Sequence, residues 1–218
     1  MTEIAHDEVH LWEIALSLRD EDLADVAQLL SDDERAYADE FRDPHAQRQF
    51  LISRGVLRRL LSRYLGGEPR DLRFGIEGDG KPVLAGTHPF QFNLSHSGSL
   101  VLYAVSATRA VGVDVEQLRP IPRALELAHR FLSAEEEQAV TVAAADRRDH
   151  EFLSMWVRRE AYAKARGTSV WRALESHRRD ANDEYAVKFL DYSDHYVAAV
   201  AATGHDWRIV RCGEFREE

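Results

Sequence analysis

The sequence predicts an α+β fold. Segments with helical periodicity and segments with strand-like alternation share the 218 residues without the strict strand–helix–strand order of an α/β protein. Each half of the chain also carries an arginine-bearing helix followed by strands, although this echo is too loose to define a repeat. The length suits one large domain or two small domains of about 100 residues each.

Capping signals and periodicity define the elements of the first half. Ser31 and Glu34 have the spacing of a capping box, and Gly66–Gly67 interrupt the periodic apolar pattern before them. The predicted elements are a strand at 9–16, helices at 32–41 and from Asp43 or Pro44 to Tyr64, strands at 72–77, 90–96 and 100–106, and a turn at 78–82.

The same signals define the second half. Ser133 and Glu136 form a second capping-box pattern, and Gly167 ends a long helix. The predicted elements are a strand at 111–116, helices at 123–131, after Ser133 and from about Asp149 to Arg166, and closing strands at 184–190, 195–202 and 207–211.

Composition and charge argue against several classes of protein. The net charge of −10 is unsuited to a general nucleic-acid binder, which needs a basic surface. No apolar run approaches the roughly 20 residues of a membrane span. The N-terminus is acidic and lacks a signal-peptide pattern, so we expect a cytoplasmic protein. The single Cys212 excludes an internal disulfide and a Cys-based zinc site.

The strand 111-VGVDVE-116 places two carboxylates on one face. Its valines alternate with Gly112, Asp114 and Glu116, and residues two apart in a strand point the same way. The two carboxylates repel each other unless a cation lies between them. They are hard oxygen ligands of the kind that Mg²⁺ uses. A solvated acidic edge strand has the same pattern, so the spacing alone leaves both interpretations open.

A second motif, 156-WVRREAYAKARG-167, lies on the predicted long helix. Glu160 and Lys164 are four residues apart and share a face with Trp156. The pair is either a surface ion pair or includes a carboxylate near a buried boundary, where it needs a partner such as a metal.

Two turn motifs carry groups suited to anions. His96 lies in the turn of 92-FNLSHSGS-99, where backbone N–H groups and hydroxyls can bind an anion or form an ordinary hairpin. Lys81 in 78-GDGKP-82 is one of only three lysines in the chain. It either binds phosphate as a point charge or is a solvated turn residue.

These motifs together favour phosphate chemistry. The carboxylates suit Mg²⁺, and Lys81, His96, Arg48 and Lys164 form a cationic set for phosphate groups. Metal plus phosphate recognition is the chemistry of phosphoryl or diphosphate transfer. The sequence has no Walker loop, no G-x-S-x-G and no H-E-x-x-H, which argues against P-loop enzymes, serine hydrolases and zinc hydrolases.

The order of these fragments resembles that of the Sfp-type 4′-phosphopantetheinyl transferases. GDGKP, FNLSHSGS, VGVDVE, FLSAEEE and WVRREAYAKARG follow one another as in that family, between Ser31 and Gly167. The resemblance implies transfer of the phosphopantetheine arm of coenzyme A to a serine of an acyl or peptidyl carrier protein. Adenosine 3′,5′-bisphosphate is the implied by-product, and the implied partners are coenzyme A and an apo carrier protein.

The resemblance also implies a fold of two similar α+β halves, related by pseudo-twofold symmetry, with the active site between them. The N-terminal half, 1–107, would supply contacts to the coenzyme A nucleotide. The C-terminal half, 108–218, would supply the metal ligands and the catalytic helix. Two fused halves could complete the site within one chain, so we expect a monomer with no nucleic-acid or membrane partner.

Roles for individual residues follow from the same resemblance. It implies that Asp114, Glu116 and Glu160 ligate Mg²⁺. The residues implied to contact coenzyme A are Arg48, Arg54, Lys81, Pro82, Ser95, His96 and Lys164. The implied catalytic set is Glu160, Asp114, Lys164 and His96. The base that removes the serine proton is either Glu160 or a water held by the metal.

Two departures from the family pattern bear on function. Arg159 replaces the lysine of W-x-x-K-E-A, and arginine can bind an anion but cannot accept a proton. Residues 32–43 are mostly acidic where some relatives carry a basic cluster for the 3′-phosphate, which leaves that role to Arg48, Arg54 or His45. The alternative function is a non-catalytic relative that binds coenzyme A or a carrier protein. A phosphatase or nuclease using the same carboxylates has no motif of its own.

Overall fold

The computed structural model describes residues 2–16, 20–78, 81–86, 88–169 and 184–214. Its elements confirm the predicted α+β class. They are β1 (Glu8–Ala15), α1 (Asp20–Gln28), α2 (Asp32–Asp39), α3 (Pro44–Leu65), a 3₁₀ turn (Pro69–Asp71), β2 (Phe74–Glu77), β3 (Lys81–Leu84), β4 (Gln91–Ser97), β5 (Leu100–Ser106), β6 (Val111–Gln117), α4 (Ala124–Phe131), α5 (Ala134–Val142), α6 (Arg148–Ala165), β7 (Tyr185–Ser193), β8 (Tyr196–Thr203) and β9 (Arg208–Glu214).

The strands form two sheets and a hairpin. The first sheet has the order β4-β5-β1-β9, the second has the order β6-β8-β7, and β2 pairs with β3. Strand pairs are antiparallel, except that β9 runs parallel to β1. The last described strand therefore lies in the first sheet, although its residues belong to the predicted second half.

Three apolar cores separate four layers. One core lies between α3 and the first sheet, a second lies between the two sheets, and a third lies between the second sheet and α6. The layers therefore stack in the order α3, first sheet, second sheet, α6. Among the described helices, none combines the length and apolarity that crossing a membrane requires.

β6 presents a different face to each of its neighbouring layers. Its three valines are buried in the core between the sheets, where each contributes roughly 1.5–3 kcal/mol relative to exposure. Gly112 and Asp114 pair in register with Ala201 and Ala199 of β8, which belong to the core against α6. The carboxylate face of the strand is therefore directed toward α6, as its alternation predicts.

A capping box tied to a long helix occurs in both halves. Both predicted capping boxes are present, before α2 and before α5, because the Ser31 and Ser133 side chains accept from the backbone three residues on. Arg58 of α3 donates to the glutamate of the first box at 2.7 Å. Arg159 of α6 donates through Nε to the glutamate of the second box at 3.0 Å. Each partly buried ion pair fixes a short helix against a long one.

Side chains from other elements satisfy the outer edge of β6. Lys81 Nζ donates to the carbonyl oxygen of Val111 at 3.0 Å, and the Val113 amide donates to Asn93 Oδ1 at 2.9 Å. An edge strand leaves such backbone groups without a ladder partner. These bonds join β3 and β4 to β6 where no strand pairs with it.

Two elements differ from the prediction. The helix α1 is not predicted: its sequence DEDLADVAQ does place Leu23, Val26 and Ala27 at helical spacing, but over only 9 residues. The strand β3 falls partly within the predicted turn at 78–82, because Pro82 is unusual inside a strand. It pairs with β2, with Glu77 opposite Lys81. Asp79 and Gly80 of the predicted turn lie outside the described residues.

Candidate active site

A cavity of about 300 Å³ lies between β4, β6 and α6. Most of its polar lining comes from three motifs that the sequence singled out. Its lining residues are Leu94, Ser95, His96, Asp114, Val115, Glu116, Trp156, Glu160 and Lys164. Residues from both predicted halves, such as Ser95 and Asp114, which are 19 positions apart, therefore meet at one cavity.

Asp114 is the most buried acidic group of this cavity, with 5% of its surface exposed. Its Oδ1 accepts from Ser95 Oγ at 2.8 Å and from Lys164 Nζ at 2.6 Å. Lys164 Nζ also donates to Ser95 Oγ at 3.0 Å, which closes a triangle of three polar groups. Asp114 Oδ2 is buried and has no hydrogen-bond partner among the described residues. A buried carboxylate oxygen without a donor has the capacity to bind a further cation.

Gly112 sets how closely α6 approaches this strand. A Cβ at this position would lie 2.1 Å from the carbonyl oxygen of Ala161 and 2.4 Å from the amide nitrogen of Ala165. Only a residue without a side chain allows the helix backbone to rest directly on β6. This contact brings Glu160 and Lys164, one helical turn apart, over the carboxylate face of the strand.

Glu160 is a half-buried carboxylate on the face of α6 that lines the cavity. Desolvation by burial raises its pKa, and the negative charge of Asp114 raises it further. Lys164 opposes this effect, and Glu116 adds to it. Three carboxylates lie around one cavity, and the cations beside them are Lys164 and, at the rim, Arg119, so a negative charge remains that favours a further cation.

Glu116 lies at the rim of the cavity. It accepts a hydrogen bond from Ser97 Oγ at 2.9 Å, and Arg119 lies 3.5 Å from the same oxygen. In the described part of the chain, no three His, Cys, Asp or Glu side chains are gathered closely enough to hold a metal. The chemistry of the donors nevertheless fits Mg²⁺, because all are carboxylate oxygens and Asp114 keeps one oxygen spare.

His96 lies beside this group but projects toward α3, because neighbouring residues of β4 face opposite sides. Gln49 Nε2 lies 2.9 Å from His96 Nδ1. An amide N–H donates, so Nδ1 accepts and the neutral ring carries its hydrogen on Nε2. Partial desolvation of the ring and the positive charge of Lys164 lower the pKa of His96.

Comparison with known proteins identifies the family. Residues 17–108 match the family model for the 4′-phosphopantetheinyl transferase N-terminal region, and residues 110–210 match that of the 4′-phosphopantetheinyl transferase superfamily. The chain is 36% identical over 214 residues to 4′-phosphopantetheinyl transferase HetI of Nostoc sp., covering 93% of this chain and 90% of HetI. The chain belongs to the Sfp-type 4′-phosphopantetheinyl transferases.

Two further relatives carry the same enzyme name. The 4′-phosphopantetheinyl transferase psf-1 of Bacillus pumilus is 35% identical over 67% of this chain and 62% of its own length. The 4′-phosphopantetheinyl transferase Sfp of Bacillus subtilis strain 168 is 30% identical over 58% of this chain and 55% of its own length. The predicted family and the prediction of an enzyme are therefore confirmed.

Among the coenzyme A contacts expected for this phosphopantetheinyl transferase, Arg54 lies in a neighbouring cavity. That cavity of about 310 Å³ shares Leu94 and His96 with the one described above. Arg54 stacks against the ring of Phe74 at 5.1 Å, and its Nε lies 3.5 Å from Glu34. Its Nη1 is buried without a hydrogen-bond partner among the described residues. The role of Arg54 in binding coenzyme A stays a prediction.

Three other expected contacts lie outside both cavities. Arg48 is half-buried on α3, and Pro82 lines a separate cavity of about 390 Å³ beside β3 and β4. Lys81 Nζ donates to two backbone carbonyls, those of Val111 and Lys164. Their contacts to coenzyme A also stay predictions.

The site also contains residues with no predicted role. Leu94 and Val115 form apolar parts of the wall, together with Trp156, which the helix spacing does predict. Gln49 orients His96 from a helix 47 positions away, a contact for which the sequence has no local signal. Asn93, which accepts from the Val113 amide, does have a local signal. It and Ser95 alternate with Phe92 and Leu94 at the period of a strand.

Proposed function

We propose that the chain transfers the 4′-phosphopantetheine arm of coenzyme A to a serine of an acyl or peptidyl carrier protein and releases adenosine 3′,5′-bisphosphate. One observation carries this proposal. Asp114, buried beside Lys164 and with one oxygen spare, shares a cavity with a second carboxylate, Glu160, whose pKa is raised. This combination suits a diphosphate and its counter-ion, in a chain that belongs to a phosphopantetheinyl transferase family.

Asp114, Glu116 and Glu160 would hold Mg²⁺ in this proposal. The spare oxygen of Asp114 and the excess negative charge of the cavity support this assignment. When bound, Mg²⁺ supplies positive charge that stabilises the oxygens of the diphosphate as its bridging bond breaks. Lys164, which bonds Asp114 Oδ1 and lines the cavity, is the cation that would contact a phosphate oxygen.

The chain's own side chains would manage the proton and the phosphates. The serine oxygen of the carrier attacks the β-phosphorus, the bond from that phosphorus to the bridging oxygen breaks, and the serine proton is lost. The proposed acceptor of this proton is Glu160, which lines the cavity beside Lys164, or a water beside it. His96 Nε2–H and Lys164 Nζ are donors that would orient the phosphates.

The two-half architecture is part of the proposal. The strand order of the two sheets supports it. In the first sheet, β5 of the β4–β5 hairpin pairs with β1, and in the second sheet, β8 of the β7–β8 hairpin pairs with β6. The two capping boxes, each tied to an arginine of a long helix, also correspond. We infer that residues 1–107 and 108–218 are pseudo-twofold relatives, and that the enzyme acts as a cytoplasmic monomer.

The test is transfer to an apo carrier protein. The enzyme is incubated with coenzyme A, Mg²⁺ and several apo carriers, and each carrier is weighed by mass spectrometry. We expect a gain of the phosphopantetheine mass and formation of adenosine 3′,5′-bisphosphate, both lost on chelation by EDTA and in Asp114→Ala. No gain on any carrier, with coenzyme A still bound, would replace this proposal with that of a non-catalytic binding relative.

A further inference from the structure

Lys81 has an unusual position for a lysine on a turn or strand end. It is one of three lysines in the chain, it is half-buried, and its Nζ makes two hydrogen bonds of 3.0 Å to backbone carbonyls. One carbonyl belongs to Val111, at the start of β6. The other belongs to Lys164, in the last turn of α6. A single ammonium group therefore joins the strand that carries Asp114 to the helix that carries Glu160.

The end of α6 has room for such a donor, because a carbonyl oxygen can accept two hydrogen bonds. The last carbonyls of a helix have no partner inside the helix. At this end, Gly167 has a φ of +66°, its amide donates to the Lys164 carbonyl at 3.2 Å, and the Thr168 amide donates to Ala163 at 3.0 Å. Lys81 adds a charged donor to the Lys164 carbonyl, and positive charge at a helix C-terminus is favourable.

The hairpin that carries Lys81 also touches the end of α6 directly. A Cβ on Gly78, which follows β2, would lie 2.0 Å from the carbonyl oxygen of Gly167. Both glycines have positive φ, and neither position could carry a side chain without strain. The hairpin and the helix end therefore meet backbone to backbone, with the Lys81 bonds beside this contact.

We propose that Lys81 is a positioning residue that holds the C-terminal end of α6 against β6, and so keeps Glu160 and Lys164 in register with Asp114. The catalytic part of this inference rests on the proposed function. It departs from the role expected from the family resemblance, in which this lysine contacts coenzyme A. A lysine that binds a phosphate of the substrate must direct its Nζ to that phosphate, whereas Lys81 Nζ is directed to two backbone carbonyls of the protein.

Hydrogen exchange tests the structural part without reference to activity. The amides of Arg166, Gly167 and Thr168 are compared in the parent protein, in Lys81→Met and in Lys188→Met. Lys188 is a matched control, because it also donates to a backbone carbonyl, that of Trp207, but lies on β7. We expect roughly tenfold faster exchange at the helix end in Lys81→Met only. Unchanged exchange there would overturn the proposal.

Kinetics then separate positioning from phosphate binding. For Lys81→Met we expect kcat to fall about 10- to 100-fold, while the Kd for coenzyme A stays within about threefold of the parent value. Lys81→Arg, which keeps charged donors, restores part of the exchange protection and of kcat. A Kd raised more than tenfold with normal exchange at the helix end would instead make Lys81 a ligand of coenzyme A. If the parent protein shows no transfer, the hydrogen-exchange result still decides whether Lys81 stabilises the end of α6 against β6.

Discussion

Replacement of Gly112 by alanine tests how the close contact between β6 and α6 builds the site. The added Cβ would lie 2.1 Å from the Ala161 carbonyl oxygen, where ordinary contacts begin near 3.4 Å, so the helix must move away by roughly 1 Å. Overpacking of this kind costs about 1–3 kcal/mol. A shift of about 1 Å at a catalytic group can cost about 10²-fold in rate. We therefore expect a large loss of transfer with a moderate loss of stability.

The assay combines urea unfolding with the rate of phosphopantetheine transfer to an apo carrier protein. Gly75→Ala is the matched control, because it is also a strand glycine, but its Cβ would meet only Val83 Cγ2 at 3.7 Å. We expect the control to keep its transfer rate within about twofold of the parent and to lose no stability, since alanine is favoured over glycine in a strand by about 0.5–1 kcal/mol. A parent-like rate in Gly112→Ala would refute the reasoning.

Three further predictions concern groups around the site. Ser95→Ala removes a donor to Asp114, and we expect the transfer rate to fall about five- to tenfold, equivalent to about 1–1.5 kcal/mol. The control is Ser99→Ala at an exposed position, and equal losses of rate in the two variants would contradict a specific role of Ser95 at Asp114. Arg159→Met leaves the partly buried Glu136 without this cation, and we expect about 3 kcal/mol less stability in urea. The control is Arg158→Met at the exposed neighbouring position, which should change stability by less than about 0.5 kcal/mol. An Arg159→Met variant as stable as the parent protein would argue against the ion pair. Burial lowers the pKa of Lys81 to about 8. Side-chain NMR of the lysines should show a titration near that pH which disappears in Lys81→Met, and its absence in the parent protein would contradict the burial. Between about pH 8 and 10.5, Lys81 binds more protons in the unfolded chain than in the folded chain, so its titration makes the stability of the fold rise with pH.

Features with local signals were predictable from the sequence. The capping boxes at Ser31 and Ser133 follow from residues three positions apart, and both are present. The division of β6 into an apolar and an acidic face follows from its period of two. Glu160, Lys164 and Trp156 share a helix face because of their four-residue spacing, and all three line the cavity. In each case the determining geometry spans only a few residues of backbone.

Features that depend on distant partners were not predictable in this way. The strand β3 contains a proline, so its pairing with β2 rather than a local pattern establishes it. The spacing on the helix predicts Glu160 as the partner of Lys164, and the structure pairs Lys164 with Asp114, 50 positions away. The protein contacts of Arg54 with Glu34 and of Lys81 with two backbone carbonyls likewise have no local signal, and their predicted contacts to coenzyme A stay predictions.

By itself, the sequence determined the family, the α+β class and the alternating strand that carries Asp114 and Glu116, because each depends on the identity and order of residues along the chain. Only the tertiary structure decided which groups surround Asp114, how closely α6 rests on Gly112, and that Lys81 joins the helix to the strand. The physical reason is that these contacts form when elements far apart in sequence pack together, and hydrogen-bond partners and burial are properties of that packing.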